Sequence, residues 1–167
     1  MALAANCAIG GSICSLGDVG AQSLNGKVDG QRLAAMGSYG FLAAVPYHFW
    51  YKFLAATFPP QAVGIKTALE CLIVVPCFEI PGVILYTGIV GRNQTPTEAA
   101  GQLVGQFPTA FGWGCLLWAP TSLLTFKFVP PRWHLTAFYT AGAFWDFGIS
   151  YLSFDASTSL RSSDKTR

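Results

Sequence analysis

Residues able to move protons, pair charges or bind ligands stand inside long apolar stretches of this chain. They are Asp18, His48, Lys66, Glu70, Glu79, His134 and Asp146, with the amide of Gln22 one turn beyond Asp18. The best marked is the run Gly17-Asp18-Val19-Gly20-Ala21-Gln22, near the end of a first apolar segment, 3–24. A carboxylate at that depth of a membrane helix costs about 3 kcal/mol unless it faces protein or water. At helical spacing Gly10, Cys14, Gly17 and Ala21 make a stripe of small residues. Gly11, Ser15, Asp18 and Gln22 run beside it as a polar stripe, and Ile9, Ile13 and Leu16 take the opposite side. One wall is therefore expected to meet lipid and the other to make close, polar contact with other helices. Hydrogen bonding across helices is the preferred role for Asp18 and Gln22, ahead of a part in moving solute.

Catalysis is not expected. The chain has two histidines, neither at a nucleophile spacing, and none of the HExxH, GxSxG, Walker or GxGxxG patterns. His48 and His134 on separate helices are read as packed polar residues before haem ligands. Cys7, Cys14, Cys71, Cys77 and Cys115 lie within apolar segments without CxxC or Cys/His spacing. They read as five buried thiols, with no disulfide framework and no metal site. No cofactor is expected, and a net charge of +2 is too small to imply nucleic acid as a partner.

The elements that must position these groups are long and apolar. Of 167 residues 52% are hydrophobic and only 11% charged, against about 25% charged in an ordinary soluble domain. Mean hydropathy is +0.43, which fits an integral membrane protein: an all-α bundle of four to five transmembrane helices plus one short interfacial amphipathic helix. No basic start precedes the first apolar segment, so a cleavable leader is not expected. A first helix over 3–24 would reach about 33 Å, enough to cross a bilayer core of about 30 Å. A turn at 25–30 leads to a second helix, 32–57, kinked at Pro46 and ending before Pro59-Pro60. On it Gly37, Gly40, Ala44, His48 and Tyr51 share a face, and Phe49 to Lys52 read as an interfacial anchor.

A third helix, 62–91, contains Pro76 and Pro81 and is expected to bend. Lys66 and Glu70 are one turn apart and able to pair. Glu79 is half a turn out of phase with Glu70 unless the prolines reset it, and the bend is expected to turn it inward. Thr95-Pro96-Thr97-Glu98 is a capping box that should start the short amphipathic helix. Asn93-Gln94-Thr95 matches a glycosylation acceptor, but the threonine is better explained as the cap. A fourth spanning helix, 109–129, is expected to break at Pro120, and a fifth, 132–154, follows Pro130-Pro131. Tyr139, Gly142, Asp146, Ser150 and Ser153 share a face of the fifth. One transmembrane domain, 1–154, and a polar tail, 155–167, complete the organisation.

Five crossings put Lys27, Arg32, Arg92, Arg161, Lys165 and Arg167 on one side and Lys52, Lys66, Lys127 and Arg132 on the other. That bias toward a cytoplasmic or matrix C-terminal tail is weak, and orientation stays open. Asp18 and Asp146 should reach one level and His48, Lys66, Glu70, Arg132 and His134 another. Two readings fit this layering: a narrow hydrated path with charged mouths, or two interhelical networks that fix packing.

Taken in order, these landmarks resemble the Mpv-seventeen and twenty-two-kilodalton peroxisomal membrane protein family, small multi-span proteins of the mitochondrial inner and peroxisomal membranes. Its GDxxxQ element matches at Gly17, Asp18 and Gln22, and HxWYxxL at His48, Trp50, Tyr51 and Leu54. The KxxxD-then-proline element matches at Lys66 and Pro76 with Glu70 for aspartate. The aromatic-to-Val-Pro element matches at Trp118, Phe126, Val129 and Pro130, and the last element at Trp145, Ile149 and Ser150. Departures fall at Cys71, Ser122, Thr125, His134 and Asp146, where the family usually carries amides or arginine, and at Pro46, whose position is shifted. The resemblance implies a weakly selective channel for ions or small metabolites, most naturally in the mitochondrial inner membrane, with the peroxisomal membrane as alternative. A non-catalytic accessory subunit of a larger organellar membrane complex is the alternative role. The expected partners are the lipid bilayer and either further copies of the chain or the subunits of that complex.

Overall fold

Residues 2–23 and 28–145 are described by a computed structural model of the chain. Every regular element among them is helical, so the protein is all-α. Helix α1 is Leu3–Ser23 and α2 is Gly30–Thr57. A continuous helical run, α3, spans Val63–Gly91, and α4 is Pro96–Phe128. A single 3₁₀ turn, Pro131–Trp133, leads into α5, residues 134–145. Asp146, Ser150, Ser153 and the tail 155–167 lie outside the described residues.

Helices α1 and α2 pack along each other because their facing backbones carry no side chains. A Cβ on Gly40 would stand 2.5 Å from the Gly10 carbonyl oxygen and 2.6 Å from Cys14 Sγ, and one on Gly37 would stand 2.5 Å from Ser15 Oγ. Glycine alone permits that approach. The expected small stripe is indeed the buried one: Gly10, Cys14, Gly17 and Ala21 are all buried, while Leu16 opposite is 70% exposed. Tyr139 of α5 closes the arrangement by donating from its hydroxyl to the Gly40 carbonyl at 3.1 Å.

Two corrections concern proline. The short amphipathic helix and the fourth spanning helix are one element, since α4 runs unbroken through Pro108 and Pro120. A proline inside a helix removes one hydrogen bond and crowds one carbonyl, which bends a helix but ends it only when the chain has nowhere to continue. Thr95 caps α4: Glu98 N–H donates to its hydroxyl, and the Thr95 N–H donates to Glu98 Oε2 at 2.7 Å. In α3 the stretch Glu70–Glu79, which contains Pro76, is wound as a π-helix, and so is Thr87–Gly91. An i→i+5 turn holds about one residue more than an α turn, so the nine residues from Glu70 to Glu79 make about two turns instead of two and a half. The phase is reset, and Glu79 comes onto the inner face.

Only α3 among the described residues is long and apolar enough on both counts to cross a membrane. The outer surface of the other helices is nonetheless apolar: Phe49, Val104, Leu116 and Phe144 are 57%, 75%, 71% and 73% exposed. A groove of about 900 Å³ between α2 and α3 is lined by Leu42, Phe49, Phe53 and Phe78 among others. The five thiols are not uniformly buried: Cys115 on α4 is half-buried, and Cys77 on α3 is exposed because the π-wound stretch turns the 77–78 pair outward.

Gly40→Leu should destabilise by about 1–3 kcal/mol or more through forced separation of α1 and α2. Gly105→Ala, where a Cβ meets nothing within 4 Å, should stabilise by about 0.5–1 kcal/mol; thermal unfolding in detergent measures both. The two hydrogen bonds from Thr95 hold the Glu98 carboxyl below its usual range. A lowered carboxyl adds stability above its unfolded value and loses it as pH falls through the folded one. Amide exchange in the first turn of α4 should therefore quicken on acidification below the ordinary glutamate range; Glu98→Gln should remove that dependence, and Thr95→Ala, which keeps the backbone N–H, should only lessen it.

Candidate functional site

The enclosed carboxylates occupy separate networks, each assembled across a helix hairpin. In the first, Asp18 is fully buried, with an ion pair from Arg32 Nε to its Oδ1 at 2.8 Å. Gln22 Nε2 donates to Asp18 Oδ2 at 2.5 Å, while Gln22 Oε1 accepts the Asp29 backbone N–H. Asp29 in turn caps α2, its side chain accepting from the N–H groups of Gln31 and Arg32. The pairing of α1 with α2 thus places Arg32 against Asp18.

The second network surrounds Glu70, which is 3% exposed. Tyr51 donates its hydroxyl to Oε1 at 2.6 Å and Trp50 its indole N–H to Oε2 at 2.7 Å. The expected Lys66–Glu70 pair does not form: among the described residues the one ion pair is Arg32–Asp18. Both Glu70 oxygens are taken by donors from α2, and Lys66, one turn before Glu70, is itself 5% exposed. His134 packs edge-on against Phe126 at 5.2 Å and against Tyr51 at 6.5 Å, and its Nε2 donates to the Val129 carbonyl at 2.8 Å. Glu70, Lys66 and His134 are therefore gathered at one level, as their sequence depths suggested. Arg132 is exposed on the turn before them.

The remaining groups stand apart. His48 Nδ1 accepts from Asn6 Nδ2 at 2.7 Å, a contact between α1 and α2 separate from Glu70. Glu79 accepts the Tyr47 hydroxyl. It lines a cavity of about 40 Å³ with Tyr39, Tyr51 and Tyr139. Asp146 lies outside the described residues, so its expected layer with Asp18 has no described counterpart. Among the described residues no group of His, Cys, Asp and Glu is arranged to hold a metal ion.

Sequence reasoning missed the donors: Arg32 for Asp18, Tyr51 and Trp50 for Glu70, Tyr47 for Glu79 and Asn6 for His48. A signal existed for three of them. Residues equidistant from a hairpin turn face one another, which pairs 18 with 32 and 70 with 50 or 51 about Pro59-Pro60. The Tyr47–Glu79 pair escapes that rule because the π-wound stretch shifts register. Against known proteins, the chain matches no protein-family profile, no curated protein and no solved structure.

Arg32→Gln should remove the ion pair from a buried carboxylate and cost about 3 kcal/mol, whereas Asp18→Asn, which retains a hydrogen-bonding group, should cost less. Adding Asp18→Asn to Arg32→Gln should recover part of the loss, a coupling read from unfolding of the double-mutant cycle.

Proposed function

We propose that this is a multi-span membrane protein of an organelle, without catalytic activity, serving as an accessory subunit packed against a larger membrane complex. The observation that carries the reading is Asp18. Its two oxygens are occupied by Arg32 and Gln22 and it exposes no surface, which suits a residue that locks two helices together better than one that contacts passing solute. Support for four to five crossings comes from the helix lengths and the outward apolar side chains. Leu116, Val104 and Phe144 at 70% exposure or more form a surface suited to lipid or partner helices, not to water. The resemblance described above favours the mitochondrial inner membrane, with the peroxisomal membrane as second choice.

A second reading, a weakly selective channel for ions or small metabolites, is favoured by the carboxylate-lined cavity at Glu79 and by the same resemblance. The readings separate on purified native protein. Under mild detergent the accessory subunit should bring stoichiometric membrane partners with it, and it should conduct nothing in planar bilayers. Asp18→Asn should lower its thermal stability alone. Conductance whose ion selectivity changes with Asp18→Asn would replace this reading by the channel.

A further inference from the structure

The cavity beside Glu79 is lined by Ala43, Leu135, Phe138 and Gly142 together with several side chains that can hold water. Helix α2 contributes Tyr39, Tyr47 and Tyr51, α5 Tyr139, α4 Trp118 and α1 Cys14. Tyr51 and Tyr47 face it while donating to Glu70 and Glu79 respectively. The indole N–H of Trp118, a residue only 6% exposed, has no hydrogen-bond partner among the described residues. A buried N–H without an acceptor costs about 1–3 kcal/mol. A water needs about 10–15 Å³ and two to four polar partners, so about 40 Å³ gives room for more than one.

We propose that ordered water in this cavity joins Glu79 to Glu70 through the Tyr51 hydroxyl, making a proton-exchange site between the two carboxyl groups. In the transfer, protonated Glu79 gives its proton to a cavity water and that water gives one of its own to Tyr51 Oη. Tyr51 passes its hydroxyl proton to Glu70 Oε1. One proton moves, no electrons do, and the water and Tyr51 end neutral as they began. The titratable groups facing Glu79 are Cys14 from α1, the three tyrosines of α2 and Tyr139 of α5; α4 presents only Trp118. On α3 itself stand Glu70 and, one turn before it, Lys66, with His134 edge-on to the Tyr51 ring. The site depends on the packing of the helices round the cavity and on neither role assigned to the bundle, so it survives or fails independently of them.

Infrared difference spectra of the full-length protein in lipid, recorded between acid and neutral pH, test the link. Glu79→Gln should remove one carboxyl band and displace the band of Glu70. In a Tyr51→Phe background, which keeps the ring stacked on Phe138 at 4.8 Å, the same substitution should leave the Glu70 band unmoved. Exchange into H₂¹⁸O should shift a cavity-water stretch in the native protein that Glu79→Gln also alters. A Glu70 band indifferent to Glu79→Gln while Tyr51 is intact overturns the proposal, as does an isotope-insensitive spectrum. Should Glu79→Gln fail to fold, the isotope exchange and Tyr51→Phe alone decide: an unchanged Glu70 band in Tyr51→Phe is equally fatal.

Discussion

A carboxylate placed among apolar helices must find donors on a neighbouring helix, and the rest of this structure follows from how those donors are brought within reach. Arg32 meets Asp18, Trp50 and Tyr51 meet Glu70, and Tyr47 meets Glu79. Each set comes from α2, which lies between α1 and α3. The facing glycines of α1 and α2 make the first of these possible, since a side chain at Gly10 or Gly40 would hold the two backbones apart. Close backbone approach and carboxylate burial are thus one device seen from two ends.

Helix α3 meets the same demand differently. Its two glutamates are spaced so that an ordinary α-helix would send them to opposite sides. The π-wound segment adds about one residue to each turn and collects both on the inner face. Pro76 sits within that segment. The same rewinding turns Cys77 and Phe78 outward to border the groove against α2. Inner polarity and the apolar outer groove are consequences of one local change in winding.

The aromatic side chains join these networks into a single interior. Tyr51 stacks on Phe138, touches Phe126 and His134, and donates to Glu70. Trp118 packs on Phe138 and Trp145. Phenols and indoles suit this place because each fills apolar space with its ring and carries one polar atom at its edge.

The amino-acid sequence alone determined the helical class, the small face of α1, the His48 and Tyr51 face of α2 and the capping box at Thr95. All of these rest on local spacing and composition, which neighbours in the chain decide. Tertiary structure decided which donor answers each acid, why Lys66 does not pair with Glu70, and that α4 continues through Pro108 and Pro120. Those outcomes depend on groups distant in sequence competing for the same two oxygens, and on whether packing stabilises a helix across a proline. Spacing along one chain carries neither quantity, because both are set by what the opposite helix offers.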